Sequence, residues 1–387
     1  MAKRANGSGS IYRLPNGTWR AQVTVEGRRV SHVEKTQKAA TEWARKMTGQ
    51  VRHGLSYEGT RKALGEFFDE WLAVKANKLR PATMEQYCRI SRLHIKPRIG
   101  ALALHDVNAA RIQTLYSALQ SDSVGKRTIE VAHTILHGCL SHARRLGLVT
   151  QNWAALAEVP RPEKREMRVW DEGQVSLFLT GAPDPAFYRM AFATGMRRGE
   201  LIGLKWDDID WQAETVTVRR QVFEPEGGGF RFQEPKTARG RRAIRLGPGL
   251  LEALREQFNQ VLPLARALAG DRWQEHDLVF PSTIGTPRNG YEVSKTFHKL
   301  AERAGLPAIR FHDIRHTAAS IMLLHREPPV RVAAILGQSL AVLLDTYAHY
   351  IPDDQERAAA LMDAITNPIP VDLRRTHVAH KTGGDAT

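Results

Sequence analysis

His312, Arg315 and His316 fall at spacings of three and four within FHDIRHT, which on a helix sets them along one face. The apolar run 317–324 that follows is what such a helix would bury. Pro328 and Pro329 interrupt it, and a second short helix over 330–336 is predicted to stop at Gly337. Ten residues past that glycine stands Tyr347, between Thr346 and Ala348. Fixed positive groups followed by a solitary tyrosine suit anion chemistry with the phenol as nucleophile. Two plainer readings compete. A tyrosine in a C-terminal helix can simply pack, and HDIRH imitates the zinc-binding H-E-x-x-H with Asp in second place. A zinc site would need a third ligand and would set Arg315 against the metal, cation against cation, so no metal is expected.

The overall charge points to the same kind of partner. The 387-residue chain carries 56 Lys and Arg against 41 Asp and Glu, a formal charge of +15. Nucleic acid explains that surplus more economically than a membrane surface. Apolar content of 42% and charged content of 25% are ordinary for a folded soluble protein, here long enough for two or three domains. No apolar run approaches membrane-spanning length, and MAKRANGSGS lacks a signal peptide's apolar region, so a cytoplasmic protein with no membrane partner is expected. Cys88 and Cys139 sit in helical patterns and read as reduced core residues. Neither belongs to a CxxC pair, and no G-x-G-x-x-G or Walker A sequence occurs, so no cofactor is expected.

The elements that would position these residues fall into separate blocks. Residues 1–10 are expected to be disordered. Strands are then predicted over 10–12, 19–25 and 28–33, with Asn16-Gly17 and Glu26-Gly27 as turns and a helix over 36–50 behind them. Through Arg52 this block holds eleven Lys and Arg against three acidic residues, Glu26, Glu34 and Glu42. A basic three-stranded sheet can lie in a DNA major groove, or it can be a solvated accessory surface. After a linker at 54–59 come four helices, one from Thr60, one opened by Pro81, one over 107–119 and one over 128–146. Basic residues stud their outer faces, as a clamp on duplex phosphates would need. PRPEKREMR at 160–168 reads as an extended linker.

A mixed domain follows. Helices are predicted over 171–179, 186–193, 197–204, 250–268, 293–304 and 353–362, and strands over 215–223, 230–232, 242–246 and 278–281. Lys236 falls between the breakers Pro235 and Gly240, at a turn that suits a lysine reaching into a cleft as well as a solvated one. The tail from Asn367 has no pattern and should be disordered.

Four motifs in this order resemble the tyrosine recombinases of phage and conjugative-element integrase type: ATGMRRGEL at 193–201, the lysine of EPKTARGRR, FHDIRHT at 311–317 and LGQSLAVLLDTYAHY at 336–350. The resemblance implies a catalytic set of Arg197, Lys236, His312, Arg315, Gln338 and Tyr347, with Glu200 in support and no metal or cofactor. The family usually has His, sometimes Trp, where this chain has Gln338, which can donate a hydrogen bond but carries no proton at neutral pH. The implied fold is multidomain α+β: an arm-type DNA-binding domain over 1–55 (three-stranded sheet plus helix), an all-helical core-binding domain over 60–160, a linker at 161–168, a mainly helical catalytic domain over 169–365 and a disordered tail over 366–387. The implied activity is site-specific DNA breaking and rejoining through a 3′-phosphotyrosine, to integrate or excise a mobile element. The implied partners are double-stranded DNA at core and arm attachment sites and three further copies in a homotetramer, with room for a host bending protein and a directionality factor. A type IB topoisomerase shares the same residue types but needs no arm-binding block. A DNA-binding regulator that lost activity has Gln338 as its only support.

Overall fold

The computed structural model describes residues 10–25, 28–52, 61–162, 167–235, 238–353 and 355–367. The chain divides into two compact units, residues 1–165 with 225–227, and residues 166–224 with 228–387. Disorder was expected over 1–10, of which Ser10 is instead in a strand; residues 1–9, the turn at Glu26-Gly27, the linker at 54–59, residues 163–166, the turn at Lys236 and the tail beyond 367 lie outside the described residues.

The first unit begins with an antiparallel sheet in the order β1 (Ser10–Arg13), β2 (Trp19–Val25), β3 (Arg28–Glu34). The Asn16 side chain shapes the first turn by accepting from the Thr18 backbone N–H at 3.2 Å and from its hydroxyl at 2.6 Å. Alternation along β2 sends Ala21 and Val23 under α1 (Gln37–Arg52), where Ala40 and Ala44 are small enough for the helix to lie close. The His32 ring stacks on Trp43 at 5.2 Å beside them. Tyr12 pairs with Arg20, Ser10 with Gln22 and Thr24 with Arg29, so the other face of the sheet is polar and basic.

The long helices of this unit are α2 (Leu64–Ala76), α3 (Pro81–Ile90, continued by a π-helical turn at Ser91–Ile95 and a short α-helix at Lys96–Ile99), α4 (Ala109–Ser121) and α5 (Lys126–Arg145). Pro81 starts α3, where its missing N–H costs nothing, and Asn108 caps α4 by accepting from the Arg111 N–H at 2.9 Å. Phe67, Phe68, Trp71, Ile112, Tyr116, Ile135, Leu136 and Cys139 meet in one core. Each large side chain fully buried there contributes about 1.5–3 kcal/mol. Cys88 departs from expectation, because it is exposed. The face of α3 that packs runs through Met84, Tyr87 and Ile90, and Cys88 lies about 100° around the helix from Tyr87.

The second unit is mixed. Helices α6 (Glu172–Gly181), α7 (Pro185–Thr194) and α8 (Arg198–Ile202) precede a small antiparallel sheet of β4 (Ile209–Asp210), β5 (Thr215–Val218) and β8 (Arg242–Arg245), in that order. A separate hairpin pairs β6 (Gln221–Phe223) with β7 (Arg231–Gln233). The single strand expected over 215–223 is therefore broken at Arg219 and Arg220. Both arginines turn to the buried carboxylate of Asp208, whereas neighbours in a regular strand must face opposite ways. The strand expected over 278–281 is reduced to two isolated bridges, Lys205 with Leu278 and Pro281 with Pro287. Positive φ at Asp277 (57°) and the missing N–H of Pro281 leave it no ladder.

The remaining helices are α9 (Pro248–Glu256), α10 (Leu262–Ala269), α11 (Gly290–Arg303), α12 (Asp313–Leu324), α13 (Pro329–Leu336), α14 (Leu340–Tyr347) and α15 (Gln355–Thr366). Trp170 sits in the core against Phe178, Phe192 and Phe297, and its indole N–H donates to the Pro307 carbonyl at 2.9 Å. Its backbone N–H donates to Thr317 at 3.2 Å and so ties the start of this unit to α12. The last helix, α15, runs to Thr366 rather than stopping at Met362, and none of its residues is buried. No single helix among the described residues is long and apolar enough to cross a membrane.

Candidate active site

Two glycines build the floor of the site. Gly195 ends α7 at φ 58° and Gly337 ends α13 at φ 64°, left-handed conformations in which a side chain is strained. A Cβ on Gly195 would come within 2.5 Å of Leu336, and one on Gly337 within 2.7 Å of the Arg239 carbonyl. The close approach brings two main-chain carbonyls to one guanidinium. Arg315, buried on α12, donates to the Gly195 carbonyl at 2.8 Å, to the Leu336 carbonyl, and to Gln338 Oε1 at 3.3 Å. Three of its five N–H groups are thus held by neutral acceptors, which fix the plane of the guanidinium without cancelling its charge.

The charge is felt around it. Burial first, then the neighbouring Arg197 and Arg242, pull Arg315 down to about 10, with Glu200 and Tyr347 acting the other way. Arg197 stands at the N-cap of α8, and Glu200 at the third helical position reaches back to it. The Glu200 carboxylate accepts from the Arg197 backbone N–H at 3.0 Å and from its Nη1 at 2.8 Å. On its other side it accepts from Arg242 Nη2 at 3.0 Å. Burial alone would raise the Glu200 carboxyl, but the charge and hydrogen bond of Arg242, with help from Arg197, hold it below the usual carboxylate range. Arg197 and Arg242 thus share one carboxylate, with Arg315 near enough to feel its charge, so positive charge is in surplus there.

Tyr347 ends α14 and is 2% exposed. Its hydroxyl lies 2.6 Å from His316 Nδ1, one turn of α12 beyond His312. Burial pushes the phenol up to about 12, against the opposing pull of Arg315. Burial, with Arg310 and Arg315, lowers His316 although Asp313 raises it, so the neutral imidazole prevails at pH 7, and in its Nε2–H tautomer Nδ1 accepts from the phenol. The ring of His312 stands at right angles to that of His316 with centroids 5.3 Å apart. Burial and then the neighbouring His316 and Arg315 lower His312 to about 4. Asp313 is clamped by Arg310, whose Nη2 and Nε donate at 2.7 and 3.1 Å.

The structure thus gathers Arg197, Glu200, His312, Arg315, Gln338 and Tyr347 in one unit. Lys236 lies outside the described residues. Gln338 gives its carbonyl to Arg315, and its Nε2 is buried with no hydrogen-bond partner among the described residues. Two residues of the site were not assigned a role from the sequence. His316 was placed beside His312 by helical spacing, but nothing in the spacing pairs it with Tyr347, 31 residues later. Arg242 was read only as the start of a strand. The signal was its place in the alternation, since Arg242 and Ile244 are the buried pair of β8. Arg242 also donates to the Gly240 carbonyl at 3.0 Å and to the Ile335 carbonyl, so it braces the loop before β8 against the end of α13.

The chain is similar to known proteins of one kind. The phage integrase family profile matches residues 176–353, and the profile of the phage integrase N-terminal SAM-like domain matches residues 63–120. The chain carries a phage integrase family domain, preceded by that family's N-terminal SAM-like domain. It is a tyrosine-type site-specific recombinase of the kind that integrates mobile elements. The tyrosine recombinase XerC-like protein of Caldanaerobacter subterraneus subsp. tengcongensis is 27% identical over 354 residues, 85% of this chain and 90% of the relative. Two solved structures share the fold. A fragment of the Tn1549 transposon integrase in complex with a circular intermediate DNA superposes with a TM-score of 0.65 at 18% identity, covering 78% of this chain and 99% of that one. A lambda integrase tetramer bound to a Holliday junction gives a TM-score of 0.54 at 16% identity, covering 88% and 96%.

Proposed function

We propose that this recombinase cleaves and rejoins duplex DNA by attack of Tyr347 on a backbone phosphate held by Arg197, Arg315, His312 and Gln338. The observation that carries the reading is the guanidinium cluster around Glu200, in which Arg315 is close enough to Tyr347 for each to feel the other's charge. Permanently charged guanidinium groups neutralise the pentacoordinate phosphorus without a metal ion, each able to fork two phosphate oxygens. The Tyr347 oxygen bonds to phosphorus, the bond to the 5′ oxygen breaks, and a 3′-phosphotyrosine results. The departing 5′ oxygen takes a proton from Lys236, and a 5′ hydroxyl of the exchanged strand reverses the step, so no ATP is consumed. Glu200 holds Arg197 rather than reacting, and the unpartnered Gln338 Nε2 donates to a phosphate oxygen.

The further assignments are modular. Residues 1–55 read arm sites through the outer sheet face with Tyr12, Arg20, Gln22, Thr24 and Arg29, residues 60–160 and 169–365 grip the core site, and 161–168 join them. Each subunit supplies one tyrosine while exchange between duplexes requires four cleavages, so four copies assemble, as they do in the lambda integrase tetramer. The exposed Leu361, Met362 and Ile365 of α15 suit docking on a neighbouring copy. The protein would act in the cytoplasm on the host's DNA, with a host bending protein and a directionality factor as further partners.

The test is covalent capture. Wild type incubated with a nicked suicide duplex carrying the core site should give a protein–DNA adduct on a denaturing gel. Tyr347→Phe should give none while binding the duplex with nearly unchanged affinity. An adduct of equal yield from the variant refutes the assignment.

A further inference from the structure

The phenol of Tyr347 must lose its proton to become a nucleophile, and burial opposes the loss. Solvent has little access to a side chain that is 2% exposed. The one hydrogen bond given to its hydroxyl among the described residues is to His316 Nδ1, at 2.6 Å. Two rings approach the nucleophile's neighbourhood, yet only one touches the reacting oxygen. His312 meets His316 edge to face, with no hydrogen bond to the tyrosine. We propose that His316, rather than His312, takes the phenolic proton as Tyr347 attacks phosphorus.

The proposal rests on Tyr347 being the nucleophile and assigns the base for that step. The proton passes from Oη to Nδ1 as the bond from Oη to phosphorus forms and the bond to the 5′ oxygen breaks; the 5′ oxygen is protonated separately. On rejoining, the imidazolium returns the proton to the tyrosine as the phosphotyrosine bond breaks. The surroundings fit both states of the ring. Burial first, then Arg310 from the loop before α12 and Arg315 on it, favour neutral imidazole before the reaction, with the His312 ring packed edge to face beside it. Asp313, on the same helix and 4% exposed, favours the imidazolium once the proton arrives. From the opposite side the ring faces Tyr347 on α14, with Tyr350 in the turn beyond packed into the same cluster. The hydrogen bond also orients the nucleophile, because α12 and α14 are joined there by Leu343, Ala319 and Leu323 in one small core.

The experiment is the pH dependence of single-turnover cleavage of a suicide duplex, from about pH 5 to 9, for wild type, His316→Gln and His312→Gln. Glutamine at 316 keeps an acceptor for the hydroxyl but holds no proton at these pH values. With His316 as base, the wild-type rate is flat through neutrality and declines only where the imidazole protonates, below its ordinary value of 6.5. His316→Gln should lose roughly 10²-fold at neutral pH, and its rate should climb about tenfold per pH unit as hydroxide replaces the base. His312→Gln should be slower but keep the wild-type shape. Equal noncovalent affinity for the duplex separates the loss from a folding defect. A wild-type rate that itself rises tenfold per unit from pH 7 to about 9 overturns the proposal without any variant. If the adduct maps to Tyr347 while His316→Gln cleaves at the wild-type rate with the wild-type profile, the base assignment falls and the nucleophile stands. An adduct mapped to another residue overturns both.

Discussion

Arg242→Met tests the electrostatic account of the site at a buried ion pair. Arg242 Nη2 donates to Glu200 Oε2 at 3.0 Å, and the same guanidinium satisfies the carbonyls of Gly240 and Ile335. Methionine fills much of the volume but donates nothing. Glu200, 2% exposed, would keep only Arg197, and two buried carbonyls would lose their donor. Breaking a buried pair from one side costs about 3–5 kcal/mol, most of it the penalty of the charge left behind. With a urea slope of about 2 kcal/mol per molar, the unfolding midpoint moves down by roughly 1.5–2.5 M. The transition can be followed through fluorescence of the buried Trp170, which lies in the same unit as Arg242. Glu200→Gln removes the stranded charge, so the double variant should be less destabilised than the two single costs added together, by about 1.5–3 kcal/mol. Additivity within about 0.5 kcal/mol would refute the view that Arg242 acts by satisfying Glu200.

Gln338→Ala should slow single-turnover cleavage by roughly ten- to a hundredfold, about 1.4–2.7 kcal/mol of transition-state stabilisation, while Gln338→His retains or raises the rate. Gln338→Glu should be slower than the alanine variant, because a carboxylate beside Arg315 repels the phosphate; equal rates for all four proteins would make position 338 a bystander. Deleting residues 1–55 should abolish footprints on arm sites and spare core cleavage, whereas ending the chain at Pro352 should lower the size of the assembled complex; loss of core binding with the arm footprint kept would refute the modular reading. Acid should weaken the second unit in a defined window. Because Glu200 is held below its ordinary value of 4.5, its contribution is complete above that pH and is lost as the pH falls through the folded value, so Glu200→Gln should flatten the decline of stability below about pH 4.5 measured by urea unfolding.

The parts of the fold legible in the sequence were those with a strong local cause. Pro81 starts a helix, Gly337 ends one, and Asp171 caps one, because each of these residues sets its own backbone or meets a nearby N–H. The strand 215–223 was misread because Arg219 and Arg220 answer to Asp208, and nothing local announces a buried carboxylate in the preceding turn. Cys88 was misplaced for a related reason, since an apolar stripe wide enough to include it is set by the neighbouring helices rather than by α3. For the site, spacing brought His312, Arg315 and His316 together, and the tyrosine drew attention through its isolation. The long-range pairings of His316 with Tyr347 and of Arg242 with Glu200 needed the tertiary fold, because their partners lie 31 and 42 residues away.

The burial of Tyr347 also bears on what the free protein does between encounters with DNA. With its phenol pushed up to about 12, only about one molecule in 10⁵ carries the phenolate at pH 7. A reactive oxygen kept in that state is a poor scavenger of stray phosphate esters, and it is equally shielded from nitrating and iodinating agents that attack exposed phenolates. Tyr291, 67% exposed on α11, has no such cover and should be modified first. With Tyr347 as the proposed nucleophile, the free enzyme is thereby kept from the wrong chemistry.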